Sequence, residues 1–422
     1  MPLNGNDSQV VRTLFDEFNI VPFFTSNAEA SHGYIEVLEN LTGLSASHKA
    51  CKKDIKTYSF GSVDGLEDEN GNPATDQQKE KFFEILSNHR LSTKKIHEII
   101  ESVYDNVKDF GNAYVRIKVL TLKDQSHVYL STIHQSQIAY LKTDEVQDKM
   151  CIITEKWDRE YWKKHRPEIL PINLFSDLSV NWKDERKGGV RESQCIVHIK
   201  TKNDKSDYYG RPDILPVVNW MFTEWQMSET AGKTAGTEFV SKFIMFFEEV
   251  DPARQQSKAN LNNGGTQAGG LDRRMMKLRE LTTVEGADPK SIVGMDYPFG
   301  QKEPKIEKLD VFRDVNYTKS MLEIASSYIF AVWSWAKELT GMASFSGSIG
   351  GNIVFDLFRV KNISTIRPTQ EEYSGYYWEL VRVIFEKLGI KEKVFCLKYS
   401  DLIREIISVS ENTNNTSGGS TV

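Results

Sequence analysis

The chain has 422 residues, 39% of them apolar, which is enough for about two or three domains with cores of their own. Its 53 basic and 59 acidic residues give a net charge of −6, which excludes proteins that hold nucleic acid tightly through a large basic surplus. Four widely spaced cysteines without a C-x-x-C pair, and no run of about 18 apolar residues, argue against a disulfide framework, a zinc site and a membrane span.

The first elements in the chain are predicted to be helical. Apolar spacing indicates helices over residues 34–60, and Asp-Gly, Asn-Gly and Asn-Pro pairs over 61–78 indicate turns. The clearest helix follows. Ser92 can cap it, its apolar residues recur with a period near 3.6, and Gly111 can end it in the left-handed conformation.

Strands are predicted after this helix. Alternating apolar and polar residues indicate a half-buried strand over Ala113–Val119 and, across a polar turn, a second strand through Val128 and Leu130. Further strands are predicted near residues 138–141, 150–154 and 195–200. Residues 30–210 are therefore predicted to form an α+β domain with an antiparallel sheet.

The second half of the chain is predicted to hold long helices around an irregular insertion. Asp213 can cap the first of these helices, with Pro216 in its first turn, and an apolar run over 243–247 indicates a strand. Residues 251–310 show no long period and contain several Gly-Gly and Asn-Gly pairs. A second helix is predicted over 311–339.

Glycine and serine then dominate residues 340–351, which are predicted to form a flexible loop. A third helical tract over 353–388 should kink at Pro368 and stop at Gly389. A short strand is predicted over 394–399. The composition of 411–422, which is rich in Asn, Thr, Ser and Gly, indicates a disordered tail.

Gly232-Lys233-Thr234 is the pattern in this chain most typical of a nucleotide-binding loop. Such a loop needs an earlier glycine and a strand leading into it, whereas here Met227 takes the glycine position and the preceding residues are predicted to be helical. A polar helix surface is the favoured interpretation. We therefore predict that the chain is not an enzyme and that it holds no metal or cofactor.

Single polar and sulfur side chains also receive structural interpretations. His198 lies between apolar residues and is predicted to be a strand residue rather than a metal ligand. The four cysteines are predicted to be buried thiols in a reducing compartment: Cys51, Cys151, Cys195 and Cys396.

A basic run gives the strongest local charge. Arg273, Arg274, Lys277 and Arg279 place four positive charges together with no acidic residue among them. They could contact phosphate or an acidic partner. A solvated helix face is an equally weighted alternative, because charge runs commonly serve solubility.

Four segments, taken in order, resemble the phage portal protein family. Phe110-Gly111-Asn112-Ala113-Tyr114-Val115 resembles the family's helix followed by a G-N-A-Y strand. Ile196–Lys200 with Tyr209–Ile214 resembles its H-I-K … Y-G-x-S-P-L passage, although Arg211-Pro212-Asp213-Ile214 replaces S-P-L. Ile324–Gly341 resembles a helix ending in f-g-v-P but lacks the proline, and Ser364–Pro368 resembles the t-l-x-P before the last helix. The match spans roughly residues 45–400.

The resemblance implies a portal fold within the α+β class, with an α/β wing that holds an antiparallel sheet. The implied parts are an N-terminal arm (1–29), the wing domain (30–210), a first stem helix (211–245), a small clip (246–311), a second stem helix (312–338), a tunnel loop (339–353), a kinked helix (354–388) and a short crown with its tail (389–422). It also implies that the basic run lies on the clip, where it contacts a docking partner or DNA. The residues implied to line the narrowest part of a DNA channel are Met342, Ala343, Ser344, Phe345, Ser346, Gly347, Ser348, Ile349 and Gly350.

The function that the resemblance implies is structural. About twelve copies would form a ring at one capsid vertex, as the channel for DNA packaging and ejection. The implied partners are other copies of the chain, the major capsid protein, the terminase large subunit, a head–tail adaptor and, transiently, double-stranded DNA, with assembly in the host bacterial cytoplasm and no membrane contact. Another head–tail adaptor or minor head protein, and a packaging ATPase or nuclease, stay open as alternatives.

Tryptophans on the two implied stem helices are predicted to be subunit contacts, because such helices would lack a core within one subunit. Packing within the chain stays open as the alternative, since aromatic residues dominate cores. The tryptophans concerned are Trp220, Trp225, Trp333 and Trp335.

Overall fold

The computed structural model describes residues 19–23, 28–61, 63–68, 70–123, 125–142, 149–175, 180–203, 208–237, 243–248, 292–297, 315–340 and 351–400. The chain divides into two compact units. Met1–Thr223 and Ile324–Val422 form the first, which we call the body. Glu224–Glu323 form the second, which we call the inserted unit.

Helices open the body, and side-chain caps fix where they begin. They are α1 (Ala28–Leu44), α2 (Ala46–Phe60), α3 (Asp76–Asn88) and α4 (Thr93–Phe110). Ser45 caps α2, Thr75 and Gln78 form a reciprocal capping box on α3, and Ser92 caps α4. Gly111 ends α4 at φ 72°, so both predicted limits of this helix are confirmed.

A seven-stranded sheet lies beside these helices. Its strands are β2 (Asn112–Leu122), β3 (Gln125–Ile133), β4 (Ile138–Tyr140), β5 (Met150–Ile153), β6 (Glu168–Leu174), β7 (Lys183–Lys187) and β8 (Val190–Lys200). The order is β3-β2-β8-β6-β5-β4, and β7 also pairs with β8. A short helix, α5 (Arg159–Lys164), connects β5 to β6. The predicted β2–β3 hairpin is confirmed, and α4 packs on it.

The prediction of a purely antiparallel sheet is wrong, because β6 runs parallel to β8. The chain reverses twice between these strands, once over residues 175–182 and once at Gly188-Gly189. Two reversals restore the original direction. Strand β7 is antiparallel to β8 over residues 190–194, and β6 occupies the same edge of β8 over residues 196–198.

A second, two-stranded sheet joins distant parts of the body. Strand β1 (Val63–Glu67) pairs antiparallel with β11 (Cys396–Tyr399). The strand predicted over 394–399 is thus confirmed. The prediction of turns throughout 61–78 is wrong at β1, which the local Asp-Gly pair did not reveal because its partner comes from the far end of the chain.

Helices α6 (Val218–Thr237) and α7 (Val315–Val332) correspond to the two long helices predicted in the second half. Asp213 does not cap the first: a 3₁₀ turn over Leu215–Val217 precedes α6, and no side chain caps it. The second ends at Val332, short of the predicted 338. Ser334 adopts φ 48°, and backbone bonds from Ser334 to Ala331 and from Trp335 to Phe330 close the helix.

The third helical tract is confirmed and contains an irregular turn. It consists of α8 (Gly351–Lys361), a π turn (Asn362–Ile366) and α9 (Arg367–Leu388). Pro368 lies in the first turn of α9, so the departure from α geometry precedes the proline. Gly389, at φ 69°, ends the tract as predicted.

The inserted unit contains a parallel pair of strands, β9 (Phe243–Glu248) and β10 (Ile292–Tyr297). The strand predicted over 243–247 is confirmed, whereas β10 falls in a region predicted to consist of loops. Six apolar and small residues give β10 little signal apart from its pairing with β9.

The core of the body joins helices to both sheets. The ring of Phe60 on α2 contacts the rings of Tyr104, Tyr373 and Tyr399, which belong to α4, α9 and β11. Three of the four cysteines are buried as predicted, and the prediction is wrong for Cys396, which is half-buried. Within the described part of the chain, none of the helices has the length and apolar character needed to span a membrane.

Candidate functional site

The chain leaves and re-enters the body through two adjacent helices. At the start of α6 and near the end of α7, the rings of Trp220 and Tyr328 stack with centroids 4.5 Å apart and planes 9° apart. Met221, Ala325 and Ile329 are fully buried beside them. We call residues 218–223 and 324–332 the neck, because the whole inserted unit lies between them in sequence.

The approach to α6 is fixed by a close crossing of two backbones. Thr201 donates its backbone N–H to Gly111 O (2.9 Å) and its hydroxyl to Arg211 O (2.6 Å). A Cβ atom on Gly210 would lie 2.1 Å from Gly111 O. Only glycine fits at this point, so the crossing explains both the Gly111 and Gly210 positions.

Asn112 holds this crossing together with all of its amide atoms. Its Oδ1 accepts hydrogen bonds from Gly210 N (2.6 Å) and His198 Nε2 (3.0 Å). Its Nδ2 donates to Phe110 O (2.8 Å) and to Gly210 O (3.2 Å). Asn112 therefore joins α4, β8 and the segment before α6 within a buried, satisfied network.

His198 is held in one neutral form by its neighbours. Because Asn112 Oδ1 accepts, His198 Nε2 carries the proton, and Nδ1 accepts from the Tyr140 hydroxyl (2.5 Å). Burial, with smaller effects of Lys200 and Lys149, holds the pKa of His198 well below its ordinary value. The predicted role of His198 as a strand residue is confirmed, since it lies within β8.

A tyrosine hydroxyl joins the N-terminal segment to the same junction. Tyr209 donates its hydroxyl to Val21 O (3.0 Å) and accepts the backbone N–H of Tyr140 (2.9 Å). Burial raises the pKa of Tyr209, so the hydroxyl stays a donor at neutral pH. The G-N-A-Y, H-I-K and Y-G segments, separate in sequence, thus meet in one place.

A second network holds the end of α7. Trp333 Nε1 donates to His48 Nδ1 (3.3 Å), and His48 Nε2 donates to Asp109 Oδ1 (2.9 Å). Lys52 pairs with the other oxygen of Asp109 (2.6 Å). Burial acts to raise the pKa of Asp109, but the hydrogen bond from His48 and the charge of Lys52 together lower it. The carboxylate is therefore ionised and ties α7 to α2 and α4.

The prediction that Trp333 and Trp335 are subunit contacts is wrong. Their exposed fractions are 7% and 4%, because Trp333 packs edge-on against His48 and Trp335 lies beside Tyr58. The αL turn at Ser334 folds both rings back into the body. Trp220 is half-buried against Tyr328.

The apolar residues that α7 exposes are different ones. Ile324, Tyr328 and Val332, spaced four apart on one face, have exposed fractions of 43%, 51% and 37%. We call these three residues the α7 stripe. Their spacing was visible in the sequence, but the sequence did not show which face of the helix the body covers.

Residues 335–364 form a second segment whose ends return to one place. Thr365 Oγ1 in the π turn donates to Ser334 O (3.2 Å), just after α7 ends. The implied tunnel-loop residues 342–350 belong to this segment but lie outside the described residues. The basic residues Arg273, Arg274, Lys277 and Arg279 also lie outside them, so both sets remain predictions.

The Gly232-Lys233-Thr234 pattern lies within α6. A helical backbone does not present the converging amides of a phosphate-binding loop. Among the residues that the structure describes, no group of three or more His, Cys, Asp or Glu side chains is placed to hold a metal ion.

Solved structures of gene transfer agent (GTA) particles contain chains similar to this one. A virion of the native particle gives a TM-score of 0.47 at 11% identity, covering 90% of this chain and 89% of that chain. The neck of the empty particle, computed with C6 symmetry, gives 0.48 at 11% identity, with 90% and 89% covered. The neck of the native particle, computed with C12 symmetry, gives 0.49 at 10% identity, with 98% and 95% covered. At these values the similarities assign neither fold nor function.

No protein-family model matches the sequence, and no curated protein matches it.

Proposed function

We propose that the chain is a phage-type portal subunit. About twelve copies form a ring at one capsid vertex, through which double-stranded DNA is packaged and ejected. The ordered sequence segments that resemble the portal family support this proposal, because Asn112, His198 and Gly210 from three of them form one buried network at the base of α6.

The observation that carries the proposal is the α7 stripe. Ile324, Tyr328 and Val332 lie on the neck, which the chain itself anchors on its other side through Trp333 and Ile329. Exposed large apolar residues at helical spacing are typical of an interface. A second copy of the chain, contacting this face head-to-tail, would cover the stripe and continue around a ring.

The charge of the chain suits a channel through which DNA must move. Each phosphate that a protein neutralises strengthens binding and would retard sliding. A net charge of −6 supplies no general basic surplus. The proposed partners are therefore proteins: the major capsid protein, the terminase large subunit and a head–tail adaptor, with DNA contacted transiently.

The ring is tested by introducing a charge into the α7 stripe. Wild-type full-length protein should form rings in negative-stain images and give a mass of several subunits by native mass spectrometry. Ile324→Asp should abolish the rings, because a carboxylate in an apolar contact stays desolvated and unpaired. The thermal midpoint of the chain should change little, since Ile324 is exposed.

Phe83→Asp provides the matched control, because Phe83 on α3 has the same exposed fraction of 43% as Ile324. We expect this variant to form rings. A wild-type chain that remains monomeric at every concentration would overturn the proposal, and equal loss of rings in both variants would remove the assignment of the interface to α7.

We also propose that the chain has no enzymatic activity, and the position of Lys233 within a helix supports this. Purified protein should show no ATP hydrolysis above a buffer blank. Hydrolysis that is lost in Lys233→Ala would contradict the proposal.

A further inference from the structure

A pocket of about 70 Å³ lies in the body where several elements meet. Asp213 and Ile214 come from the segment before α6, Val332 and Trp333 from the end of α7, and Thr365 from the π turn. The remaining lining residues come from α2, α4 and α9: Ile55, Tyr104, Lys108 and Thr369. The pocket therefore lies where the neck and the returning end of segment 335–364 converge.

One side chain in this pocket lacks a hydrogen-bond partner. The hydroxyl of Tyr104 is buried and has none among the described residues. Burial raises the pKa of Tyr104 well above its ordinary value, with smaller contributions from Asp105 and Asp109, so the hydroxyl keeps its proton. A buried donor without an acceptor costs free energy, so a partner supplied by the pocket is favoured.

The opposite wall offers hydrogen-bond acceptors. Thr369 Oγ1 donates its proton to Thr365 O (2.8 Å), and Thr365 Oγ1 donates to Ser334 O (3.2 Å). Both hydroxyl protons are thus used within the protein, and the lone pairs of both oxygens remain able to accept. Lys108 and Asp213, 3.4 Å apart, add a charged pair to the lining.

We propose that this pocket binds a small cluster of ordered water molecules that joins Tyr104 to Thr365 and Thr369. The pocket is polar, and its volume holds on the order of a few waters, whereas apolar cavities stay dry. The ligand class is water and comparably small, uncharged hydroxylic molecules. The bound water joins the neck to the π turn, and this inference does not depend on the portal assignment.

The first test removes the hydroxyl of Tyr104. Water-bound Tyr104 loses a satisfied hydrogen bond in Tyr104→Phe, so the thermal midpoint of the full-length chain should fall by about 2 °C. Tyr377→Phe is the matched control, because the Tyr377 hydroxyl is equally buried and without a partner among the described residues but does not line the pocket. Its midpoint should stay the same or rise. A rise in Tyr104→Phe like that of the control would overturn the proposal.

The second test measures whether the two walls share the cluster. Thr369→Val and Tyr104→Phe should lower the midpoint less together than the sum of their separate effects, because either change alone disrupts the shared water. Thr223→Val is the control, since Thr223 also bonds its i−4 carbonyl (2.9 Å) but does not line the pocket. It should be additive with Tyr104→Phe. Additivity of Thr369→Val with Tyr104→Phe would contradict a shared cluster.

A direct measurement completes the test. A high-resolution experimental map of the full-length protein should show ordered solvent density within hydrogen-bond distance of the Tyr104 hydroxyl. A well-ordered pocket without such density would overturn the proposal, whatever the variants show.

Discussion

Gly210 has less space than any other glycine whose surroundings the structure describes. An added Cβ would lie 2.1 Å from Gly111 O and 2.8 Å from Thr201 N, and all of these atoms belong to backbone. No side chain can turn away to relieve the contact. The crossing of the two backbones must therefore open, and the Asn112 bonds to Gly210 depend on it.

We predict that Gly210→Ala lowers the free energy of unfolding by about 3 kcal/mol, because it combines overpacking with the loss of buried hydrogen bonds. Gly375→Ala is the control: it lies exposed within α9 with nothing near its Cβ, and it should stabilise by about 0.5–1 kcal/mol. Chemical denaturation measures both. A Gly210→Ala variant as stable as the wild type would contradict the crossing.

His198 makes the stability of the body depend on pH. Its folded-state pKa lies well below the ordinary value of 6.5, so the unfolded chain binds a proton that the folded chain excludes. We predict that the free energy of unfolding falls as pH drops below about 6.5, by up to about 1.4 kcal/mol per pH unit until the folded-state pKa is reached. Urea denaturation between pH 7.5 and 5 measures this slope.

His198→Gln should lower stability at every pH and reduce this slope. Ile199→Val, a small truncation next to it in β8, should lower stability without changing the slope, because it alters no titrating group. A His198→Gln variant that keeps the full wild-type slope would show that other groups cause it.

At the scale of elements, the end of α7 decides which of its residues face solvent. The αL residue at Ser334 turns Trp333 and Trp335 into the body and leaves Ile324, Tyr328 and Val332 exposed. A continuous helix through residue 338 would place these side chains on a regular stripe instead. A single backbone conformation thus separates the anchored end of α7 from its exposed face.

We predict that Ser334→Gly stabilises the protein by about 0.5–1 kcal/mol, because glycine adopts φ 48° without the steric cost that serine carries. Ser320→Gly, in the interior of α7, should destabilise by a few tenths to about 1 kcal/mol. The thermal midpoints of the two variants should move in opposite directions. If both fall, the left-handed turn does not hold in solution.

At the scale of the whole molecule, the body and the inserted unit have different tasks in the proposed ring. The body carries the buried networks around Asn112 and Asp109, which fix the two ends of the neck. The inserted unit carries the basic run 273–279. In the proposed ring the body supplies assembly, and the basic run supplies contacts to a docking partner.

We predict that changing Arg273, Arg274, Lys277 and Arg279 together to Gln leaves ring formation intact and weakens binding of the terminase or the adaptor at least about tenfold, with a reduced salt dependence. Native mass spectrometry and a binding titration at two salt concentrations measure this. Loss of the ring in this variant would contradict a docking role and assign the basic run to assembly.

The sequence alone determined the elements whose signals are local. Ser92 and Gly111 bound α4 because a cap and a left-handed glycine act within one turn of a helix, and the alternation over 113–119 predicted β2 because side chains alternate along any strand. The Tyr209-Gly210 and Asn112 positions were noticed through resemblance, although their contact was not predicted.

The tertiary structure decided what depends on distant partners. Strand β1 forms because residues 396–399 pair with it, and β6 became parallel to β8 because of two intervening reversals. The burial of Trp333 and the exposure of Tyr328 depend on where the αL turn at Ser334 directs the chain. Pairing and burial are set by residues far apart in sequence, and local periodicity carries no information about which of them will meet.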